Sequence, residues 1–209
     1  MLRVLIADDH TVVRKGLKLL LLEEFPDAQV EETEDAESLV KKVIKEQWDI
    51  VVTDIDMPGR SGLDALVQIK EISPNLPVLI LSLHAEEQYA IRAMKAGASG
   101  YLSKKAAPEE LVNAVHKILL GKKYISDVIA DKLLGAIAGD SDKAPHELLS
   151  NREFDIMKLL ATGKTTSDIA AALSLSGSTV STYRTRIMAK LQLKTNSDIT
   201  RYAMDNKLV

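Results

Sequence analysis

The sequence contains no cysteine, which removes disulfide cross-links and thiolate metal sites from consideration. Long hydrophobic runs are missing too. The apolar stretch Leu17 to Leu22 is broken by Lys18, and no run reaches the ~18 residues that a membrane-spanning helix requires. No basic segment precedes the first apolar run, so no secretory leader is expected. A cytoplasmic protein without a membrane partner is the resulting expectation. The four histidines, His10, His84, His116 and His146, have no metal-ligand spacing. His10 is expected to pack at the entry to a helix, and Trp48 and the six methionines to lie in or near the core.

What is present is a globular composition, 46% hydrophobic and 27% charged in 209 residues, enough for two domains. Charge divides unevenly along the chain. Met1 to Leu148 holds 18 Lys and Arg against 25 Asp and Glu, a net of −7; Leu149 to Val209 holds 9 against 5, a net of +4. An acidic body with a basic tail suggests different partners for the two parts, nucleic acid for the second.

Through the first part, apolar runs alternate with helical periodicity. Leu2–Ala7 reads as a strand, and Thr11–Glu24 as a helix with Val13, Leu17, Leu20 and Leu21 on one face. Gln29–Thr33 is a weaker strand, and Asp35–Glu46 a helix carrying Leu39, Val43 and Ile44. Ile50–Thr53 is a fully apolar or β-branched strand ended by Asp54. A Pro58–Gly62 loop, a helix over Leu63–Ile72, a strand at Val78–Leu81 and a helix over Glu86–Ala96 follow. Gly97 and Gly100 then turn the chain into Tyr101-Leu102, and Pro108 opens a helix to Leu120. Five strand-then-helix rounds predict a parallel sheet with helices on both faces.

Ligands of such sheets bind at the carboxyl ends of the strands. The polar residues there are Asp8, Asp9, Asp54, Ser82 and Lys104. Three carboxylates that converge repel one another unless a cation shares them, and an all-oxygen set suits Mg²⁺. With a lysine and a hydroxyl beside them, the group is suited to phosphoryl transfer onto a carboxylate. Taken singly, each residue has a plainer reading: an Asp-Asp helix cap, a turn serine, a surface lysine.

Leu5-Ile6-Ala7-Asp8-Asp9-His10, Thr53-Asp54-Ile55-Asp56-Met57-Pro58-Gly59, Leu81-Ser82 and Gly97-Ala98-Ser99-Gly100-Tyr101-Leu102-Ser103-Lys104 stand in a characteristic order and spacing. Residues 1–120 thereby resemble the receiver domain of two-component response regulators. The resemblance implies a five-stranded, doubly wound, flavodoxin-like fold. It also implies that Asp54 accepts phosphate from a sensor histidine kinase, and that Asp8, Asp9, Asp54 and the Asp56 backbone carbonyl hold Mg²⁺. Lys104 would pair with the phosphoryl oxygens, Ser82 would be drawn toward them, and Tyr101 would be the switch aromatic.

Residues 121–147 read as a helical extension, with a helix over Val128–Ala138, and a linker at Gly139–Pro145. Residues 148–209 contain no strand signal. Ser150 with Glu153 forms a capping box opening a helix with Phe154, Met157, Leu159, Leu160 and Ala161 inward, which Gly163 ends. Thr166 or Ser167 caps a second helix bearing Ile169, Ala170 and Leu173; Ser178–Leu191 is a third, with Val180, Ile187, Met188 and Leu191 inward; Asn196–Met204 is a fourth. The second and third form a helix-turn-helix within an all-α, four-helix domain. Its candidate DNA-binding residues are Ser178, Thr179, Ser181, Thr182, Tyr183, Arg184, Thr185, Arg186 and Lys190, with Lys194 extending the positive side. The plainer reading is a solvated helical face.

Leu149-Ser150-Asn151-Arg152-Glu153, Ile169-Ala170, Ser176, Thr179-Val180 and Ile187-Met188-Ala189-Lys190-Leu191 resemble the LuxR-type output domain. Joined to a receiver, this is the arrangement of the NarL/FixJ class, and the run Val180–Arg186 is similar to the BvgA-like branch. The resemblance implies a transcription regulator binding promoter DNA, with dimerisation on phosphorylation. Relatives often carry lysines where Ser181 and Thr182 stand, so no operator can be borrowed. Two alternatives remain open: a haloacid-dehalogenase-like Mg²⁺ phosphatase built on Asp54-Ile55-Asp56, and a DNA-binding regulator indifferent to phosphorylation.

Overall fold

The computed structural model describes residues 1–83, 86–106, 108–127, 129–131 and 144–209. Of the expected helix at 128–138, only residues 129–131 fall within this set, and most of the expected linker lies outside it. The chain divides into two compact units, Met1–Leu134 and Gly135–Val209.

The first unit alternates β1 (Arg3–Ala7), α1 (Thr11–Glu24), β2 (Gln29–Thr33), α2 (Ala36–Lys45), β3 (Ile50–Asp54), α3 (Gly62–Ile72), β4 (Val78–Ser82), α4 (Glu86–Lys95), β5 (Gly100–Ser103) and α5 (Pro108–Leu119). All strand pairings are parallel, in the order β2-β1-β3-β4-β5. β1, β3 and β4 have partners on both sides, which is why their residues run apolar without alternation. Val4, Ile6, Ile50, Val52, Leu79 and Leu81 join Leu111, Ala114, Val115 and Ile118 of α5 in one core. The intervening Leu5, Val51 and Ile80 are equally buried, pointing to the opposite face.

The helices start where short polar side chains can cap them. Asp35 accepts from the Ser38 amide and Ser61 from that of Asp64. Three apolar residues do not go inward as expected. Ile44, Met1 and Met204 are largely exposed, while Trp48 is buried with its face under the Arg3 guanidinium.

The second unit comprises a 3₁₀ turn (Pro145–Leu148), α6 (Asn151–Ala161), α7 (Thr166–Ala172), α8 (Gly177–Leu191) and α9 (Asn196–Asp205). Phe154, Ile156, Met157, Leu160, Ile169, Val180, Ile187, Leu191, Ile199 and Ala203 form its interior. Ile156 takes the inward place expected for Leu159, because α6 contacts both α8 and α9 and buries a wider stripe than one face. The α7 cap is Thr165 rather than Thr166 or Ser167. Thr165 reaches the Asp168 amide while the Asp168 carboxylate accepts from the Thr165 amide, a reciprocal pair the later residues cannot make.

Candidate functional site

The sheet order reverses between β1 and β3, opening a crevice at their carboxyl ends. The register sets Ala7 opposite Thr53, Asp54 opposite Leu81 and Ser82 opposite Ser103, so Asp8, Asp54, Ser82 and Lys104 emerge at one rim. The chain leaving β3 folds back over it. The Gly62 amide donates to the Ile55 carbonyl at 2.8 Å, and a β-carbon on Gly62 would lie 1.8 Å from the Asp54 carbonyl oxygen. Glycine is the residue that permits this closure.

Ligand atoms of Asp8, Asp9, His10 and Asp54 lie within 4.8 Å of one another. Asp54 is 2% exposed and Asp8 fully buried. The ammonium of Lys104 bridges them, 2.6 Å from Asp8 Oδ2 and 2.6 Å from Asp54 Oδ2. Asp54 Oδ1 is buried with no hydrogen-bond partner among the described residues. Burial pushes the Asp54 carboxyl up from 3.8 to about 6, with Lys104 opposing and Asp8 and Asp56 adding repulsion. The Lys104 ammonium is also disfavoured by burial, yet its bonds to Asp54 and Asp8 leave its pKa raised. An acid held above its usual range, with one bare oxygen and a fixed cation on the other, is arranged to receive positive charge or an electrophile. The all-oxygen donor set of Asp8, Asp9 and Asp54 fits a hard divalent ion.

Ser82 is fully buried at the end of β4, and Tyr101 is buried on β5. Asp56 is exposed in the loop after β3. His10 departs from expectation: its ring is 60% exposed rather than packed, with Nδ1 2.6 Å from Asp9 Oδ1. Arg14 was not anticipated. Its Nη1 donates to the Asp8 carbonyl at 2.6 Å, while Nε lies 3.6 Å from Glu32. The available signal was a guanidinium one turn into the helix that follows the acidic pair.

In the second unit, α8 carries the exposed residues Ser178, Ser181, Thr182, Thr185 and Arg186, with Thr179, Tyr183 and Arg184 half-buried. Arg184 Nε donates to Asn196 Oδ1 at 2.6 Å, and the Arg186 guanidinium lies 6.0 Å from the Tyr183 ring centroid. Ser178 and Thr179 hydroxyls are engaged with the Ser176 cap. Lys190, a candidate for DNA contact, is exposed and also paired within the unit. Its ammonium lies 2.6 Å from buried Glu153 Oε2 and 3.2 Å from the Leu148 carbonyl, the cation that offsets the Glu153 charge. Lys194 remains exposed. The caps of α6, α7 and α9 each carry an acid in the first turn, whereas that of α8 has none, leaving the positive end of its dipole uncompensated.

The profile of the response regulator receiver domain matches residues 4–116, and that of the bacterial regulatory proteins of the luxR family matches residues 147–203. The chain is 34% identical over 215 residues to the oxygen regulatory protein NreC of Staphylococcus carnosus (strain TM300), covering 100% of this chain and 99% of that protein. It is 34% identical over 209 residues to the response regulator UvrY of Escherichia coli (strain K12), covering 100% and 96%. Among solved structures, RcsB from Salmonella enterica serovar Typhimurium, bound to promoter rprA in the presence of phosphomimetic BeF3-, aligns with a TM-score of 0.63 at 25% identity, covering 97% of this chain and 98% of that one. With an acidic crevice on a five-stranded parallel sheet and a helix-turn-helix unit after it, the chain belongs to the NarL/FixJ class of response regulators, which join a receiver domain to a LuxR-type DNA-binding domain.

Proposed function

We propose that this regulator is switched by phosphorylation of Asp54, with residues 1–120 as the phosphoacceptor domain, 121–147 as extension and linker, and 148–209 as the domain that grips promoter DNA. The observation that carries this reading is the pairing at Asp54: Oδ2 held by Lys104 at 2.6 Å, Oδ1 left bare. In the proposed step, Asp54 Oδ1 attacks the phosphorus of a phosphohistidine on a sensor kinase. The P–O bond forms as the P–N bond breaks, its electron pair leaving with the imidazole. Lys104 stays on the carboxylate and meets the added charge, and the Ser82 hydroxyl and Tyr101 would follow the new phosphoryl oxygens as the switch. Asp8, Asp9, Asp54 and the Asp56 carbonyl would hold Mg²⁺, which supplies positive charge against the phosphoryl oxygens.

Phosphorylation then biases a two-state equilibrium toward a homodimer that engages two DNA half-sites. Support for the DNA partner comes from the α8 surface, the net +4 of Leu149–Val209 and the family's relatives. Because a kinase fed by ATP and a chromosome are both cytoplasmic, so is the proposed location. A turnover phosphatase gains nothing from the helix-turn-helix unit, and family membership disfavours it.

The test is labelling with acetyl phosphate and Mg²⁺. Wild type should acquire one phosphate per chain, and Asp54→Asn essentially none while keeping its far-ultraviolet circular dichroism. Undiminished labelling of the variant removes Asp54 from the acceptor role.

A further inference from the structure

The exposed face of α8 runs Ser178, Ser181, Thr182, Thr185 and Ala189, the i, i+3, i+4, i+7 spacing of one helical stripe. No amide lies on it, and an exposed charge, Arg186, stands at its edge, four residues after Thr182. Three of the stripe's four hydroxyl hydrogens are also committed, and the fourth hydroxyl, that of Ser178, is engaged with Ser176. Ser181 donates to the Gly177 carbonyl at 3.0 Å, Thr182 to that of Ser178 at 3.0 Å, and Thr185 to that of Ser181 at 3.1 Å. A threonine whose oxygen is tucked back against the preceding turn presents its methyl group outward. The arginines flank the stripe, Arg184 anchored on Asn196 and Arg186 beside Tyr183.

Guanine offers two acceptors in the major groove, O6 and N7, which are read by arginine or lysine donors. Thymine offers a methyl group, whose complement is another apolar group. A stripe with spent donors and outward methyls matches the second pattern. Resting on the DNA-binding reading above, we infer that α8 selects its site through the 5-methyl groups of thymine, met by the Thr182 and Thr185 methyls, with the flanking arginines serving the phosphates. Specificity is then set by shape and apolar contact, and affinity by charge.

The test uses the full-length protein with acetyl phosphate and Mg²⁺. Duplexes are selected from a random-sequence pool, and the winner is resynthesised with deoxyuridine in place of thymidine, which removes only the methyl. Wild type should bind the uracil duplex roughly three- to five-fold more weakly for each methyl contacted. Thr182→Ser should lose that discrimination at one position, and Thr182→Val, which keeps the methyl and abandons the hydroxyl, should retain it. Equal binding of both duplexes, or equal discrimination by Thr182→Ser, overturns the inference while DNA binding stands. Failure to enrich any sequence over competitor DNA overturns the DNA-binding reading itself, and this inference with it.

Discussion

Each unit contains a lysine held 2.6 Å from a nearly fully buried carboxylate, and the two pairs have opposite character. Glu153 is held by two donors on one oxygen: Lys190 and the Ser150 amide both donate to Oε2, and the capping serine accepts from the Glu153 amide. Burial works against its charge, but Lys190 and Ser150 outweigh it and hold the carboxyl below its usual range. Asp54 shares its lysine with Asp8 and keeps a bare oxygen, and there burial prevails, so its carboxyl rises to about 6. A buried ion pair therefore keeps its charge where lysine and amide donors outweigh burial, and is strained where burial outweighs a shared lysine and an oxygen is kept open for chemistry.

Removing Glu153 should cause the larger disturbance. Glu153→Ala deletes one half of the α6 capping box and the burial of the Glu153 stem, while the Lys190 it releases is 40% exposed and can be solvated, so the loss is put at about 2 to 3 kcal/mol, from cap and packing rather than from the ion pair. Hydrogen exchange of α6 and α8 amides reads it, and Glu153→Gln, whose amide oxygen still accepts from Ser150, should lose less. Unchanged protection in Glu153→Ala would make the two pairs alike.

Asp54→Asn should act in the opposite direction, by about 2 kcal/mol in metal-free buffer at pH 8, against an upper bound of ~3 from the shift. With its pKa raised, Asp54 takes up protons in the folded state between 3.8 and about 6. Its cost is therefore absent at the acid end of that window, grows through it, and is complete above. Glu153, with its pKa lowered, contributes stability at neutral pH that is lost as pH falls through its folded pKa. The single tryptophan, Trp48, lies in the first unit, so urea titrations followed by its fluorescence isolate the Asp54 effect. A variant no more stable than wild type at pH 8, or one whose advantage persists at pH 4, removes the strain assigned to the acidic crevice. Mg²⁺ should narrow the gap by stabilising wild type.

The same contrast explains what could be read before the structure. Strand ends announce themselves, because Ala7-Asp8, Thr53-Asp54 and Leu81-Ser82 each mark an abrupt passage from apolar to polar, and a parallel sheet gathers such ends at one rim. Capping patterns were similarly visible at Ser150 and Glu153. Side-chain destinations were not. Lys190 follows an apolar stripe and resembles any solvated cation; only the fold reveals that it faces Glu153, 37 residues away in sequence. Arg14 and Asn196 escaped for the same reason, since their partners, the Asp8 carbonyl and the Arg184 guanidinium, are defined by backbone placement or by contact between helices.

The smallest predicted effect separates the two kinds of cation on α8. Arg184 is fixed through Nε by Asn196, which leaves its terminal amino groups without a partner among the described residues; a phosphate contact there releases about one counterion. Arg184→Ala should therefore lower the slope of log affinity against log salt concentration by about 1. Asn196→Ala, which frees the guanidinium without removing its charge, should weaken binding and leave most of that slope. Lys190 spends its charge on Glu153 and the Leu148 carbonyl, so Lys190→Ala should reduce stability with the slope unchanged. A slope that falls equally in the Arg184 and Lys190 variants would mean that Lys190 leaves Glu153 when a duplex arrives, and the distinction between a structural pair and a working one would fail in the second unit.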